Sequence, residues 1–461
     1  MAVRRLPRCS GPEGLGANRP LAMATSVPSS AGRGRRRQTG TVVNSTEPID
    51  ADVVVVGGGI VGLAVAWAAR QRHPNRRIVV LEQEHEPAHH QSGRNSGVLH
   101  SGLYYRPGSS KAELAVRGRA ALVEFAVEHR IPHRIGGKLV VATRLDQRAR
   151  LDELARRGAA NGVQADRLGP NGIADHEPHA VGIAGLFVPE TGVIDYRAVV
   201  RRLAELGPDD LRLGWKVIEL VDERSGVSIH TDHGTVRAGQ VVACAGLWAD
   251  KLATGAVAPM PGPDRPGGPQ PPNPPDTRPG RNWLRIVAFR GEYHRLGERA
   301  GDLVRELIYP VPDPDLPFLG VHLSRGVDGE VHAGPNAVLA LARDGYTWGR
   351  VDPAEVAGLA INPALWRLAG RYWRVGIDEV IRSWSRRRFA DSVSELVPEI
   401  TADDLTPSPA GVRAQALRRD GSLVDDFVLA RTGRITHVLN APSPAATASL
   451  AIGERVAEEL R

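Results

Sequence analysis

The stretch "ADVVVVGGGIVGLAVAWAARQRHPNRRIVVLEQE", residues 51–84, has the order strand, glycine turn, helix, strand. Its glycine turn, residues 57–62, fits the pattern G-x-G-x-x-G between an apolar run and a helix. We assign Gly57 to the tight turn, Gly59 to close approach of a pyrophosphate, and Gly62 to close helix–strand packing. The stretch therefore predicts a Rossmann-like unit whose helix N-terminus binds phosphate.

The second strand of this unit ends at Glu82, twenty residues past Gly62. A carboxylate there accepts hydrogen bonds from ribose hydroxyls and repels a 2′-phosphate, which favours FAD or NAD over NADP. Two distant segments favour FAD, because a flavin dinucleotide needs contacts far along the chain. They are a second strand-then-glycine unit at residues 240–252 and the small-residue start of the last helix, "NAPSPAATAS", at residues 440–449.

Composition excludes one class of partner. The 461 residues carry a formal net charge of +7, and residues 1–46 hold eight arginines against the single acid Glu13. The rest of the chain is therefore formally neutral, and nothing predicts the basic face that nucleic-acid binding requires.

The cysteines and the N-terminal tail bear on location. Cys9 and Cys244 form neither a disulfide framework nor a metal-binding pattern, which favours a reducing compartment. No apolar run is long enough to span a bilayer, so we expect a cytoplasmic protein whose only membrane contact is peripheral, at the inner face. The basic tail indicates disorder, with a mitochondrial transit peptide as the alternative.

The pattern of elements predicts an α/β fold in which a FAD-binding Rossmann-like domain is interleaved with a substrate domain built on a mixed or antiparallel sheet. A hairpin is expected at the Thr191-Gly192 turn, and ten prolines in residues 254–281 predict a mobile insertion. The expected segments are a disordered tail at 1–48, FAD-binding segments at 49–135, 196–253 and 396–461, substrate-domain segments at 136–195 and 283–395, and the insertion at 254–282.

Longer blocks make the chain similar to a known family. It resembles the FAD-dependent oxidoreductases of the D-amino-acid oxidase group and, within them, the L-2-hydroxyglutarate dehydrogenases, also called oxidases. The resemblance spans residues 52–460 and is carried by "GGGIVG", "HHQSGRNSGVLHSGLYYRPGSSKA", "GGKLVVAT", "FRGEYHRL", "LIYPVPDPDLPFLGVHLSR", "GPNAVLA", "AGVRAQALRRDGSLVDDF" and "NAPSPAATASLAIG". The tail and the proline-rich segment have no counterpart in it.

The resemblance implies where FAD binds. The segment after Glu82 would run beneath the flavin, and a strand near residue 217 would present backbone groups to the adenine. Together with Gly57, Gly59, Gly62 and Glu82, the implied cofactor contacts are Ser92, Asn95, Ser96, Gly97, Val217, Gly246, Leu247, Ser443, Ala445, Ala446 and Thr447.

Oxidation of an alcohol requires a base for the hydroxyl proton, and a neutral imidazole suits that task near neutral pH. By resemblance, His100 arrives near the reactive face of the flavin and is the first candidate. His322, in "FLGVHLSR", is the competing base. The alternative for His100 is a structural hydrogen bond without proton transfer.

The substrate implied by the resemblance carries two carboxylates, so cations should line its site. Arg413 matches an arginine that grips the α-carboxylate in related amino-acid oxidases, and a guanidinium can do so with two parallel bonds. Arg290 is a second candidate, although it could pair with Glu292 instead. Tyr309 and Asn336 could hold the second carboxylate or the hydroxyl. The triplet at 386–388, "RRR", predicts a solvated helix face.

The resulting hypothesis is FAD-dependent oxidation of L-2-hydroxyglutarate to 2-oxoglutarate, with oxygen or a membrane quinone as the final acceptor. The alternatives are an amine or amino-acid oxidase, or a glycerol-3-phosphate-type dehydrogenase, of the same group. A flavin-binding protein without catalytic activity is the third hypothesis.

Overall fold

A computed structural model describes residues 50–253, 258–259, 284–313 and 319–460. The expected tail at 1–48 lies outside the described residues, as does the expected insertion at 254–282 apart from residues 258–259. The strands in the described part are β1 (Ala51–Val56), β2 (Ile78–Glu82), β3 (Val98–Leu99), β4 (His133–Arg134), β5 (Lys138–Ala142), β6 (Asp166–Leu168), β7 (Ala184–Val188), β8 (Gly192–Ile194), β9 (Asp210–Leu213), β10 (Val217–Glu223), β11 (Gly226–Thr231), β12 (Gly234–Ala243), β13 (Ala258–Pro259), β14 (Leu284–Leu296), β15 (Leu307–Pro310), β16 (His322–Arg325), β17 (Val331–Gly334), β18 (Val338–Leu339), β19 (Leu405–Arg418), β20 (Val428–Thr432) and β21 (Ile435–Asn440).

The helices connect these strands. They are α1 (Ile60–Arg72), α2 (Ser110–Glu128), α3 (Arg148–Ala160), α4 (Pro170–His176), α5 (Tyr196–Leu206), α6 (Ala249–Leu252), α7 (Glu298–Gly301), α8 (Pro353–Ala360), α9 (Pro363–Trp384), α10 (Arg386–Ser394) and α11 (Ser449–Ala457). None of the helices in the described residues combines the length and the apolar character needed to cross a bilayer.

The first sheet is the predicted nucleotide-binding sheet. Its central strands run parallel in the order β21-β12-β1-β2-β9, and β10, β11, β20 and β13 extend it with antiparallel pairs. In β1, Val53 and Val55 pack on one face with helices α1, α2, α5 and α11, whereas Val54 and Val56 pack on the other face with β11. A run of four valines is buried here because both faces of the sheet are covered.

The second sheet follows the order β18-β14-β17-β16-β15-β5-β7-β6, and β19 pairs along most of the length of β14. All of its pairs are antiparallel except β15 with β5. A small third sheet joins β3, β8 and β4. The α/β fold with a Rossmann-like sheet and a second, mixed sheet is confirmed.

Two local expectations differ from the structure. The predicted hairpin at Thr191-Gly192 is wrong, because β7 pairs with β5 and β6 whereas β8 pairs with β3 and β4. The segment 396–461, assigned from the sequence to FAD binding, contains β19, which hydrogen-bonds to β14 in the second sheet. The chain returns to the first sheet at β20.

Candidate active site

A cavity of about 1590 Å³ adjoins both large sheets. Its wall includes the N-terminus of α1, the end of β2, the segment from residue 88 to residue 100, the middle of β19, and residues 438–447. Pockets for drug-sized ligands occupy roughly 300–1,000 Å³. This cavity is therefore large enough to hold a long cofactor together with a small substrate.

The glycine turn forms one end of the cavity. Gly57 has a φ of +108°, and a side chain there would also overlap the carbonyl oxygen of Cys244. A Cβ on Gly62 would overlap the carbonyl oxygen of Gly57. Both positions therefore require glycine, and the tight turn places the N-terminus of α1 at the cavity wall, where a helix can bind an anion.

Glu82 and Ser92 fix the backbone around the glycine turn by accepting hydrogen bonds. The Glu82 carboxylate accepts hydrogen bonds from the backbone N–H groups of Gly58, at 2.5 Å, and Glu84, at 2.9 Å. Burial raises the pKa of Glu82, and these backbone hydrogen bonds oppose that rise. Ser92 Oγ accepts from the backbone N–H of Ile60 at 2.9 Å, which ties the segment after Glu82 to the first turn of α1.

The rest of the expected cofactor wall comes from distant segments. Thr447 Oγ1 accepts from the backbone N–H of His100 at 3.2 Å and lies 2.8 Å from the Tyr196 hydroxyl, so the start of the last helix fixes the segment that carries His100. Of the predicted cofactor contacts, those that line the cavity are Gly57, Gly59, Gly62, Glu82, Ser92, Asn95, Ser96, Val217, Gly246, Leu247, Ser443, Ala445, Ala446 and Thr447.

The fit to FAD rests on this arrangement. The N-terminus of α1, suited to phosphate, and the Glu82 carboxylate, suited to ribose hydroxyls, line the same cavity as the small residues at 443–447. Two expected contacts have a different placement. Gly97 does not line the cavity, and the Asn95 side chain closes its own loop by accepting from Gly97 N at 2.8 Å and donating to Ser92 O at 2.8 Å.

His100 lies in the cavity wall beside Ser443, with 3.5 Å between its Nε2 and Ser443 Oγ. Its Nδ1 is buried and has no hydrogen-bond partner in the described part of the chain. Burial, reinforced by the positive charge of Lys138, lowers the pKa of His100 to about 3. The imidazole is therefore neutral before any anion binds.

His322 begins β16 and also lines the cavity. Its Nδ1 lies 3.1 Å from the carbonyl oxygen of Gly320, which fixes the tautomer with the proton on Nδ1 and the lone pair on Nε2. Its ring stacks on Tyr309 with centroids 3.9 Å apart. Burial lowers the pKa of His322 to about 3, so it too is neutral.

Arg413 supplies a cation to the same cavity. It lies in β19 opposite Phe289 of β14, is half-buried and lines the cavity wall. Among the described residues, its guanidinium has neither a hydrogen bond nor an ion pair. Its positive charge contributes to the lowered pKa values of His100 and His322. An unpaired guanidinium beside two neutral imidazoles is suited to binding a carboxylate.

Two predicted substrate residues lie elsewhere. The Arg290 guanidinium is buried, has Nε 3.1 Å from Glu292 Oε1, and lies against the ring of Trp348. The Asn336 amide donates to Glu292 Oε2 at 2.8 Å, and its Oδ1 accepts from the backbone N–H of Glu292 at 2.7 Å. Neither Arg290 nor Asn336 lines the cavity. Glu292 contacts both side chains outside the cavity wall.

The structure adds two residues that the sequence did not single out. Lys138 starts β5, is 1% exposed and has no anionic partner in the described residues. Its Nζ lies 4.2 Å from the ring centroid of Tyr104 and 5.1 Å from that of Tyr309. The hydroxyl oxygens of Tyr104 and Tyr309 are buried without hydrogen-bond partners there, and both tyrosines line the cavity. Burial lowers the pKa of Lys138 to about 7.

A sequence signal for Lys138 does exist. It is one of four lysines in a chain that contains fifty-five arginines, and it opens the apolar strand "KLVVA". A lysine within a buried strand is uncommon, because burial disfavours its charged form. Tyr104 has no comparable signal in the sequence, since a tyrosine is as common in a hydrophobic core as in a binding site.

Known proteins match this chain over most of its length. Residues 52–459 match the family model for FAD dependent oxidoreductases. An L-2-hydroxyglutarate dehydrogenase of Indibacter alkaliphilus is 43% identical over 89% of this chain and 98% of its own length. The mitochondrial L-2-hydroxyglutarate dehydrogenase of Homo sapiens is 40% identical over 89% of this chain and 88% of its own length.

Solved structures share the fold at lower identity. L-α-glycerophosphate oxidase of Mycoplasma pneumoniae, with FAD bound, aligns with a TM-score of 0.68 and 20% identity over 89% of this chain and 94% of that one. Glycine oxidase of Geobacillus kaustophilus aligns with a TM-score of 0.62 and 17% identity over the same shares. At this identity the likeness establishes the fold and carries no argument about the substrate.

The lowered pKa of Lys138 predicts a pH-dependent stability. Between about pH 7 and pH 10 an unfolded lysine holds a proton that the folded chain has released, so the free energy of unfolding rises with pH in this window. We expect Lys138→Met to remove this contribution, which is at most about 1.4 kcal/mol per pH unit. Urea unfolding of both proteins at about pH 7 and about pH 9.5 measures it.

The exposed Lys216 provides the matched control, and Lys216→Met should leave the pH dependence of unfolding as in the parent chain. An unchanged pH dependence in Lys138→Met would show that Lys138 keeps an ordinary pKa in the folded protein.

Proposed function

The chain belongs to the FAD-dependent oxidoreductase family and groups within it with L-2-hydroxyglutarate dehydrogenases, and we propose that it oxidises L-2-hydroxyglutarate to 2-oxoglutarate. The structural observation that carries this proposal is the unpaired guanidinium of Arg413 in a cavity that also holds two neutral imidazoles. A 2-hydroxy diacid needs a cation for a carboxylate and a neutral base for the hydroxyl proton. This cavity offers both groups.

We assign substrate binding to two ends of the site. Arg413 binds the carboxylate next to the carbinol carbon with two parallel hydrogen bonds. The hydroxyls of Tyr104 and Tyr309 donate to the distal carboxylate, since both are buried and lack other partners among the described residues. Lys138, beneath both tyrosine rings, adds positive charge that attracts this second carboxylate.

We assign the proton to His100. Conversion of the alcohol to the ketone releases a hydride from carbon and a proton from the hydroxyl group, and bound FAD supplies the two-electron acceptor for the hydride. A bound diacid brings two negative charges close to His100, which raises the low pKa of its imidazole and favours proton uptake. His322 is the second candidate, because its carbonyl partner at Gly320 already leaves Nε2 as an acceptor.

We propose that the electrons pass on to oxygen or to a membrane quinone, and that the protein works in the cytoplasm with peripheral contact at the inner face of the membrane. The name of the human relative includes a mitochondrial location, and that alternative for this chain depends on the segment 1–48, which lies outside the described residues. Turnover with oxygen alone, compared with turnover with a short-chain quinone, separates the two acceptors.

Removal of the Arg413 guanidinium should weaken substrate binding and leave the cofactor in place. We expect Arg413→Ala to raise KM for L-2-hydroxyglutarate by about tenfold to a hundredfold, because a charge-assisted bidentate contact is lost. Steady-state kinetics, with flavin absorbance as the measure of bound cofactor, test this expectation.

Arg418→Ala is the matched control, since Arg418 lies on the same strand but is exposed, and its guanidinium donates to Ser422 Oγ at 3.4 Å. It should keep the KM of the parent chain. An Arg413→Ala protein with unchanged KM and full flavin content would remove Arg413 from the substrate site.

The two histidines can be told apart by single-turnover reduction of the flavin. We expect His100→Ala to bind substrate but to slow flavin reduction about a hundredfold to ten-thousandfold, as for the loss of a general base. His322→Ala should have the smaller effect on this rate. Normal reduction in His100→Ala, with slow reduction in His322→Ala, would transfer the proton-abstraction role to His322.

A further inference from the structure

The outer surface of α9 carries an unusual set of exposed apolar side chains. Three of the chain's eight tryptophans lie on this helix, and the exposed fraction is 73% at Trp384, 63% at Trp366 and 55% at Trp373. We define the tryptophan patch as Trp348, Trp366, Trp373, Ile377, Ile381 and Trp384. Contiguous exposed apolar surface of this kind marks an interaction site.

The buried residues of α9 lie before Tyr372, whereas most of the patch lies after it. The inward face of α9 already packs, through Ala364 and Leu368, against Val287 and Leu417 of the second sheet. Beyond Tyr372, where the helix is kinked, Trp373 is followed by apolar residues at i+4, i+8 and i+11. This spacing places them on one helical face, and all of them are exposed.

Trp348 extends the patch beyond the helix. Its ring centroid lies 5.5 Å from that of Trp384, and its Nε1 donates to Ser383 Oγ at 3.0 Å. On the inner side, the buried Arg290 guanidinium lies 4.3 Å from the Trp348 ring centroid. Trp348 therefore connects the end of α9 to the buried Arg290.

Basic residues accompany the patch. From Pro363 to Arg388 the chain contains seven arginines against two acids, a formal net charge of +5. The Arg374 guanidinium lies 5.2 Å from the Trp373 ring centroid, and Arg387 and Arg388 are exposed at the start of α10. Among the described residues, Arg374, Arg387 and Arg388 have no acidic partner within salt-bridge distance.

We propose that the tryptophan patch and its arginines form a docking surface for an anionic lipid bilayer. Tryptophan and isoleucine enter the boundary between headgroups and acyl chains, while the arginines bind negatively charged headgroups. A second copy of this chain fits the surface poorly, because a symmetric contact would place one arginine-rich segment against another.

Docking there would bring the lipid surface close to the active site. Leu368, Arg371 and Tyr372, all on α9, line the cavity that holds the substrate residues. The same helix thus separates the patch from the cavity. This inference concerns binding to lipid and does not depend on which 2-hydroxy acid the enzyme oxidises.

Vesicle flotation with the full-length, flavin-loaded protein tests the proposal. We expect the protein to float with vesicles that contain phosphatidylglycerol and phosphatidylcholine in equal parts, and to float less with phosphatidylcholine alone. Trp373→Glu combined with Ile377→Glu should lower the partition coefficient about tenfold or more, because two apolar anchors leave the interface. Arg374→Glu combined with Arg387→Glu should weaken binding to the anionic vesicles only.

The matched control is Val127→Glu combined with Leu145→Glu, two exposed apolar residues outside the patch. This variant should float as the parent protein does. Flavin content and turnover with a soluble dye should be unchanged in the patch variants, which shows that they fold. In the parent protein, phospholipids brominated near the headgroup should quench tryptophan fluorescence.

Three results would overturn the proposal. The parent protein would fail to float with anionic vesicles, or the Trp373 and Ile377 variant would float as well as the parent. Alternatively, light scattering without vesicles would show a parent dimer that this variant converts to monomers, which would assign the patch to a second copy of the chain.

Discussion

Positive charge without a protein counter-charge is the constraint on which the active site depends. Arg413 at the cavity wall and Lys138 beneath Tyr104 and Tyr309 have no acidic partner among the described residues. Burial without an acidic partner disfavours the charged form of a basic group. For this reason the pKa values of Lys138, His100 and His322 are lowered. In the proposed function, a dianionic substrate would supply the missing charge, and both the affinity for a diacid and the rise in the pKa of His100 on binding would follow from this charge.

The fold brings these groups together from separate strands. Lys138, Tyr309 and His322 come from β5, β15 and β16, which are neighbours in the second sheet, whereas Arg413 comes from β19. His100 follows β3 and is tied by Thr447 to the start of the last helix. At Gly411, any side chain would overlap the carbonyl oxygen of Arg94, so β19 lies directly against the segment 88–100 of the cavity wall. Substrate and cofactor residues therefore share one cavity.

Local signals in the sequence were sufficient for the nucleotide-binding unit, because a glycine turn between a buried strand and a helix has few other interpretations. They were insufficient for Arg290 and Arg413, two arginines in adjacent positions of paired strands. Arg290 lies opposite Val412, and Arg413 lies opposite Phe289, so which arginine faces the cavity depends on the pairing of β14 with β19, which a short motif does not encode. The partner sheet of β19 and the partners of β7 and β8 depend equally on distant pairings.

The most direct test of the central claim is anaerobic mixing of the purified flavoprotein with L-2-hydroxyglutarate, with flavin absorbance as the signal. The D-enantiomer, L-lactate, glycerol 3-phosphate and sarcosine serve as comparison substrates. We expect rapid bleaching by the L-diacid and little or none by the others, because only that substrate presents two carboxylates and the hydroxyl in the required arrangement. A flavin bleached by glycerol 3-phosphate or sarcosine, and not by L-2-hydroxyglutarate, would contradict it.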